Sequence, residues 1–414
     1  MKKILIILDG AADLPLDFLG EKTPLEIADT PNLDFFAKNG RLGYMYPINE
    51  TFVPGSDDSI INIFGNDIKI SRRGVYEAIG AGFDLKRGDL ALRTNFVTIE
   101  NLKTKLVIDR RVSRTLTTEE AHALADSINK KINLSCEFEF KPTVQHRGVL
   151  ILRGGFSDNI TTIDSEWTIS RERLKHFKFS EPIDDDENSK HTANILNEFT
   201  TQSFKILNTH PINLDREKRG LFPANMIFTR GASTEIPKLK PYRSWMSINE
   251  MPLEIGFAKL SKMKNFSHEI PELKTIDVYD NLYKNLNKKI KFSIKTIKKN
   301  YKDFIGCYIQ FKETDIPGHD NKPYEKKNMI EIIDEKFFSF LKKMVLKHNW
   351  KIVVTCDHST PCKRKFHSAD PVPVLVYDGK RKDDAKRYTE KESKLGSLGK
   401  FYGKDFMKVT ELDK

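Results

Sequence analysis

The sequence predicts an α/β fold in which a layered core domain carries a smaller inserted domain. Three short apolar runs predict buried strands, at residues 3–8, 306–311 and 351–355. Carboxylate or imidazole side chains follow each run within a few residues, and amphipathic helical stretches lie between the runs. Because ligands bind beyond the carboxyl ends of parallel strands in open α/β sheets, we expect the three strand ends to share one crevice.

The length of the chain supports this division. Its 414 residues are too many for one simple core. The strand ends that carry reactive side chains fall before residue 60 and after residue 310, whereas the middle is richer in arginine and mixes strand and helix signals. We therefore predict a core domain that is split in sequence, at residues 1–90 and 236–414. An inserted α+β domain, which binds the substrate, is predicted at residues 91–235.

The formal net charge of +11 favours anionic partners, which are nucleic acid, a membrane surface or a phosphorylated metabolite. No apolar run reaches the roughly 18–20 residues that a membrane span needs. The first apolar run is also too short for a secretion signal, so we expect a cytoplasmic protein with no membrane partner. The lysines from Lys284 to Lys302 lie opposite an apolar stripe, which favours a solvated amphipathic helix over a nucleic-acid site.

Carboxylates and imidazoles at the predicted strand ends form a candidate metal centre. Hard oxygen ligands combined with imidazole hold the divalent metals that act on phosphate esters. Any one of these side chains could belong to an ordinary polar pair, but three of the ten histidines fall at these places. The candidate ligands are Asp9, Asp315, His319, Asp357, His358 and His367.

The candidate nucleophile is Ser56, in the segment FVPGSDD at residues 52–58. The Pro-Gly pair predicts a turn, and Ser56 is then predicted as the N-cap of a helix with two acidic residues in its first turn. Capping alone would explain such a serine. Beside a metal centre, however, the N–H groups of a helix N-terminus suit a serine that becomes phosphorylated.

A phosphate ester also needs cations that hold it away from the metals, and planar guanidinium groups do this well. The middle of the chain supplies candidates with these properties: Arg93, Asp109, Arg110, Arg111, Arg114, His146, Arg147 and Arg230. The arginines at positions 110, 111 and 114, beside Asp109, are the best candidates for a carboxylate and phosphate clamp.

Taken together, these motifs resemble the archaeal type of 2,3-bisphosphoglycerate-independent phosphoglycerate mutase, within the alkaline phosphatase superfamily. The resemblance implies an alkaline-phosphatase-like three-layer core with an inserted smaller α+β domain. It runs from one end of the chain to the other. Its main motifs are Asp9-Gly10, Pro54-Gly55-Ser56-Asp57, Asp109-Arg110-Arg111, His146-Arg147, Gly318-His319-Asp320 and Asp357-His358-Ser359-Thr360.

The resemblance also implies a mechanism. Ser56 would take the phosphoryl group from 3-phosphoglycerate and return it to the 2-hydroxyl, a reaction of glycolysis and gluconeogenesis that uses no 2,3-bisphosphoglycerate. The partner would be this small phosphorylated substrate, and the resemblance leaves a homo-oligomer open. It implies two divalent ions, which would be Mn²⁺, Mg²⁺ or Zn²⁺. One ion would be bound by Asp315, His319 and His367, and the other by Asp9, Ser56, Asp357 and His358.

The chain departs from the family pattern at positions that grip the substrate. The family usually continues Ser-Asp with Thr-Ala-His, whereas this chain has residues 58–60, Asp-Ser-Ile. The family segment Asp-Pro-His corresponds here to residues 164–166, Asp-Ser-Glu. Two alternatives therefore stay open. One is a phosphatase or phosphomutase that acts on another phosphate ester, and the other is a non-catalytic protein that binds nucleic acid through Lys284 to Lys302.

Overall fold

The structure is a computed structural model that describes residues 2–70, 72–163, 175–273 and 275–413. The departure from the family pattern at residues 164–166 lies outside the described residues. In chain order, the described strands are β1 (Lys2–Leu8), β2 (Arg41–Tyr46), β3 (Leu90–Ile99), β4 (Val107–Asp109), β5 (Glu137–Pro142), β6 (Arg147–Arg153), β7 (Met226–Ser233), β8 (Trp245–Ile248), β9 (Lys264–Phe266), β10 (Gly306–Phe311), β11 (Trp350–Thr355), β12 (Val372–Tyr377) and β13 (Gly399–Tyr402).

Most of the helices connect strands of the larger sheet. In chain order they are α1 (Pro24–Ile27), α2 (Pro31–Lys38), α3 (Ser56–Ile63), α4 (Arg73–Gly80), α5 (Thr118–Lys131), α6 (Glu187–Leu207), α7 (Pro211–Lys218), α8 (Pro252–Leu260), α9 (Val278–Asn300), α10 (Asp315–His319), α11 (Pro323–Ile333), α12 (Ser339–Val345), α13 (Glu390–Ser393) and α14 (Phe406–Val409). No helix of the described residues is long and apolar enough to cross a membrane.

The larger sheet has eight strands in the order β13-β2-β12-β11-β1-β10-β8-β9. Strand β1 lies at its centre and pairs in parallel with β10 on one side and β11 on the other. All three strands are buried along almost their whole length, so the sheet is covered by helices on both faces, as in a three-layer core. The three predicted strands are thus confirmed, and their carboxyl ends are adjacent.

A second sheet, in the order β4-β3-β6-β5 with β7 paired to β3, is antiparallel throughout. It has its own hydrophobic core, to which Phe96, Phe140, Phe199 and Phe228 contribute aromatic rings. Its strands fall between residues 90 and 233, whereas the larger sheet uses the two ends of the chain. The predicted limits of the inserted domain, residues 91–235, stay a prediction.

Candidate active site

Two carboxylates are held side by side where β1 and β11 end. Asp9 follows β1 directly and Asp357 follows β11 by two residues, and both side chains are fully buried. The Gln310 Nε2 donates to Asp9 Oδ2 at 2.5 Å and to Asp357 Oδ2 at 3.0 Å. The backbone N–H of Gly10 donates to Asp357 Oδ1 at 3.1 Å. Neighbouring strands therefore fix the two acids, as the strand-end argument predicts.

The first candidate metal cluster consists of Asp9, Asp357 and His358, whose ligand atoms lie within 4.8 Å of one another. The His358 Nε2 is 3.3 Å from Asp357 Oδ2 and 3.7 Å from Asp9 Oδ1. Within the described part of the chain, Asp9 Oδ1 has no hydrogen-bond partner although it is buried. A buried carboxylate oxygen without a partner is costly, so this oxygen fits a bound cation.

The second cluster forms around α10, which carries Asp315 and His319. The His319 Nε2 is 3.2 Å from Asp315 Oδ2, and the His367 Nε2 is 3.7 Å from Asp315 Oδ1. The ring of His358 stacks on that of His367 at 3.6 Å between centroids. His358 therefore joins the two clusters, since its ligand atom also lies within 4.8 Å of those of Asp315 and His367.

Backbone carbonyls fix the tautomers of two of these imidazoles. The His319 Nδ1 lies 2.9 Å from the carbonyl oxygen of Lys365, and the His367 Nδ1 lies 2.9 Å from that of Pro54. A carbonyl oxygen only accepts, so each Nδ1 carries a proton, and Nε2 is the nitrogen that a metal could bind. Both rings turn this Nε2 towards Asp315, and a ring whose Nδ1–H is held by a carbonyl is the usual arrangement for histidine that binds metal.

The third imidazole is fixed by a hydroxyl. The Thr360 Oγ1 donates to Asp315 Oδ1 at 2.7 Å and lies 3.1 Å from the His358 Nδ1. Since the hydroxyl hydrogen is used on the carboxylate, Thr360 accepts from the Nδ1–H of His358. The His358 Nε2 lone pair then faces the buried carboxylates.

The pKa values of the clustered groups show the cost of crowding them without a cation. Burial and the neighbouring Asp9 raise the pKa of Asp357 well above its ordinary value. Burial lowers the pKa of His358 to about 3 and, together with His358, lowers that of His367 to about 3. A divalent ion would reverse the effect on Asp357 by favouring its ionised form, and it would bind the neutral imidazoles that the low pKa values already favour. The donor set therefore fits divalent metal.

The structure corrects one expectation about Ser56. The N-cap of α3 is Gly55, in an extended conformation, and Ser56 is the first residue of the helix. The backbone N–H of Gly55 donates to Asp58 Oδ2 at 3.0 Å, so the side chain of Asp58 takes part in capping. The Ser56 hydroxyl is thereby left for other contacts, and its Oγ lies 3.3 Å from the His358 Nε2.

Lys312 is a site residue that the sequence analysis missed. Its Nζ lies 2.5 Å from Asp9 Oδ2, 3.0 Å from Glu254 Oε1 and 3.4 Å from Ser56 Oγ. Burial opposes its charge, but Asp9 and Glu254 outweigh burial and raise the pKa of Lys312 well above its ordinary value. The signal was present, because Lys312 directly follows the strand at residues 306–311. Lys312 was missed because only residue types that bind metals were sought at the strand ends, and a lysine is not one of them.

A cavity of about 690 Å³ lies between this centre and the second sheet. Ser56, Lys312 and His367 line it on the side of the larger sheet. The opposite side is lined by side chains that were predicted from the sequence, Arg93, Arg110, Arg111, Arg114, His146, Arg147 and Arg230, and by Arg73, which was not predicted.

Asp109 is the one predicted substrate-site residue that does not line this cavity. Its Oδ1 accepts the backbone N–H groups of Arg111 at 2.7 Å and of Ser113 at 2.8 Å. The carboxylate thus shapes the turn on which the arginines are carried.

The cavity wall has nitrogens without hydrogen-bond acceptors, although Glu77 Oε1 lies 3.4 Å from the Nε of Arg93. The Arg93 Nη1 and the His146 Nδ1 are buried and have no hydrogen-bond partner among the described residues. Burial lowers the pKa of His146 well below its ordinary value, and it lowers the pKa values of Arg147 and Arg230 to about 10. An anion with several oxygens would supply acceptors for these buried nitrogens.

Comparison with known proteins gives a consistent family. A family model described as 2,3-bisphosphoglycerate-independent phosphoglycerate mutase matches residues 37–213. A protein of that name from Pyrococcus abyssi is 38% identical over 99% of this chain and 96% of the relative. Another, from Methanopyrus kandleri, is 35% identical over 99% of this chain and 95% of the relative.

Solved structures agree with the sequence relatives. A Pyrococcus horikoshii protein superposes with a TM-score of 0.74 at 30% identity, over 99% of this chain and 97% of that one. The cofactor-independent phosphoglycerate mutase of Thermoplasma acidophilum gives a TM-score of 0.57 at 27% identity, over 100% and 99%. The α/β fold predicted from the sequence is confirmed, and the mutase of Thermoplasma acidophilum shares it.

Proposed function

Because the chain belongs to the family of 2,3-bisphosphoglycerate-independent phosphoglycerate mutases, we propose that it interconverts 2- and 3-phosphoglycerate through a phosphoserine at Ser56. As the family name states, this reaction needs no 2,3-bisphosphoglycerate. One observation carries the proposal: the Ser56 Oγ lies within 3.4 Å of both the Lys312 Nζ and the His358 Nε2, at the edge of a cavity lined by arginines. A nucleophile, a cation and an anion-binding wall are thus close together.

Two divalent ions would complete the centre. Asp315, His319 and His367 would hold one ion, and the other would be held by Asp9, Ser56, Asp357 and His358. The buried oxygen of Asp9 and the fixed tautomers of the histidines support this assignment. When bound, such ions polarise phosphoryl oxygens and lower the pKa of a coordinated hydroxyl. Mn²⁺, Mg²⁺ and Zn²⁺ all suit a mixed oxygen and nitrogen set.

The proposed reaction consists of two transfers. Each forms one phosphorus–oxygen bond and breaks another, and the proton of the attacking hydroxyl ends on the oxygen that is released. The Ser56 Oγ attacks the phosphorus of 3-phosphoglycerate, and the bond between phosphorus and the 3-hydroxyl oxygen breaks, which leaves glycerate and phosphoserine. After glycerate reorients, its 2-hydroxyl oxygen attacks the same phosphorus and restores Ser56. Lys312 would remain protonated throughout, because its raised pKa keeps the ammonium charged near the transferred group.

The arginine wall would hold glycerate between the two transfers. Glycerate carries a carboxylate, and guanidinium groups bind carboxylates through paired hydrogen bonds. If glycerate left or water entered, the phosphoserine would be hydrolysed and the protein would act as a phosphatase. The ratio of isomerisation to hydrolysis therefore measures how well the wall holds its ligand.

A phosphorus NMR assay tests the proposal. Metal-loaded protein mixed with 3-phosphoglycerate should produce the 2-phosphoglycerate resonance with little free phosphate, and chelation should stop the reaction until metal is restored. Release of free phosphate without 2-phosphoglycerate would identify a phosphatase instead. The cytoplasmic location, the oligomeric state and the limits of the inserted domain stay predictions in this scheme.

A further inference from the structure

The turn that carries three of the cavity arginines has an unusual backbone. We call residues 109–114 the arginine turn. Within it, Val112, Ser113 and Arg114 all have positive φ angles, of 50°, 49° and 56°. Left-handed backbone is rare outside glycine and is a marked outlier for a β-branched residue such as valine. Three such residues in succession persist only where the surroundings hold them.

One restraint on the turn comes from the other side of the cavity. Asp320 binds Arg114 through both carboxylate oxygens, at 3.0 Å and 2.7 Å from Nη1. The Tyr279 hydroxyl donates to Asp320 Oδ2 at 2.8 Å, and the Lys322 Nζ lies 4.0 Å from the centre of the Tyr279 ring. Asp320 is thus held by its own neighbours before it holds Arg114.

The position of Asp320 in the chain places this contact next to the candidate metal centre. It directly follows α10, the helix that carries the candidate ligands Asp315 and His319. Arg114 belongs to the region of the second sheet, and the α10 segment belongs to the region of the larger sheet. The contact therefore joins the arginine turn to the candidate metal helix. Asp109 restrains the same turn from within, through the backbone N–H groups of Arg111 and Ser113.

We propose that Asp320 is a positioning residue that acts through Arg114: it holds the arginine turn in its left-handed conformation, with its arginines facing the metal centre. The catalytic part of this inference rests on the proposed function. When the contact is absent, the turn relaxes and the arginines leave the cavity. Glycerate is then held less well, and water reaches the phosphoserine more often.

The test compares Asp320→Asn and Tyr279→Phe with two control variants. Asp89→Asn removes another aspartate bound by an arginine, at 2.5 Å from the Arg153 Nη1 and outside the cavity. Glu272→Ala removes a contact to the N–H of Thr118 (3.2 Å), which also joins the two regions. Amide hydrogen exchange of residues 109–116 is measured by mass spectrometry with ligand-free protein. Steady-state kinetics and the release of free phosphate are measured with 3-phosphoglycerate.

We expect Asp320→Asn to speed exchange in the turn and to raise KM by roughly tenfold, with a larger share of free phosphate, because it removes one partner of a half-buried charge pair. Tyr279→Phe should act in the same direction with a smaller effect, because it removes only one hydrogen bond to Asp320. Neither control should change exchange in the turn. Asp320→Glu, which keeps the charge, should restore part of the lost affinity.

Three results would overturn the inference. The first is unchanged exchange in Asp320→Asn and Tyr279→Phe, and the second is faster exchange with no change in KM or in phosphate release. The third is an equal effect of Glu272→Ala, which would mean that any contact between the two regions has the same effect. The exchange measurement needs no turnover, so it tests the restraint of Asp320 on the arginine turn independently of the proposed reaction. If the unaltered protein fails to isomerise phosphoglycerate, the proposed function fails, and the exchange result still stands or falls separately.

Discussion

The two sides of the cavity differ in how far the protein itself satisfies their polar side chains. On the metal side, most side chains are fixed before any ligand arrives: Gln310 holds both buried acids, and carbonyl oxygens orient His319 and His367. On the arginine side, Arg93 and His146 keep buried nitrogens without a partner among the described residues. The comparison teaches that the chemical centre is preorganised by one sheet, whereas the grip on the substrate depends on the substrate's own charge.

The largest expected effect is on the metal side. Ser56→Ala should lower kcat by roughly 10⁴-fold or more, since loss of a nucleophile removes the covalent route. Phosphorus NMR with 3-phosphoglycerate measures the loss. Ser59→Ala, in the same helix and equally buried, is the matched control and should keep its activity. Full activity in Ser56→Ala would remove the phosphoserine from the mechanism.

Lys312 provides the next test, because its charge lies beside the candidate nucleophile on the metal side. Lys312→Met should lower kcat by about 10²–10³-fold, the range found when a group that stabilises the transition state is removed. Lys312→Arg keeps the charge and should lose less. Rates at saturating substrate separate this effect from binding. Equal activity in the methionine and arginine variants would show that the charge of Lys312 is not used.

The arginine side should respond in KM rather than in metal content. Arg93→Lys keeps the charge but removes the planar fork, so KM should rise about tenfold, equivalent to about 1.4 kcal/mol of binding. The metal content of the purified variant, measured by elemental analysis, should equal that of the unaltered protein. A loss of bound metal in this variant would show that the two sides are not separate.

The last prediction concerns stability rather than activity, and it depends on pH. Burial lowers the folded-state pKa values of His146, His358 and His367, the last two to about 3. The unfolded chain therefore takes up protons first, near pH 6.5, so stability is complete above that pH and falls below it. Each histidine should lower the unfolding free energy of the metal-free protein by about 1.4 kcal/mol per pH unit.

Urea unfolding between pH 7 and pH 5 measures this slope. His146→Asn should reduce the pH dependence of the unfolding free energy by the contribution of one histidine, and it should leave the metal side unchanged. A slope that is unchanged in His146→Asn would mean that this imidazole is not held neutral in the folded state.

The same contrast explains what could be predicted from sequence. The clustering of Asp9 and Asp357 could be predicted because both stand next to strand ends, and strand ends of a parallel sheet meet by geometry. Asp9 and Asp357 needed no further information. Lys312 stood in the same place and was passed over, because the search considered ligands and not counter-charges. The choice of Ser56 as N-cap was wrong, since Gly55 with Asp58 takes that role.

The arginine side could be predicted only as a set of candidates. Its members come from separate strands and turns of the second sheet, and their convergence depends on long-range packing that no local pattern shows. Arg73 precedes that sheet in sequence and was missed, although it lines the cavity. The role of Asp109 in substrate binding stays a prediction, and its carboxylate also organises the backbone of the turn. Pairing partners such as Asp320 are invisible until the fold places them.

The most direct test of the central claim is to locate the phosphoryl group during turnover. Metal-loaded protein is mixed with 3-phosphoglycerate, quenched in acid within one turnover, digested and mapped by mass spectrometry. We predict phosphate on the peptide that contains Ser56. The Ser59→Ala variant should carry the same phosphate, because it keeps the nucleophile. Turnover to 2-phosphoglycerate with no phosphate on Ser56, or with phosphate on another residue, would contradict the account.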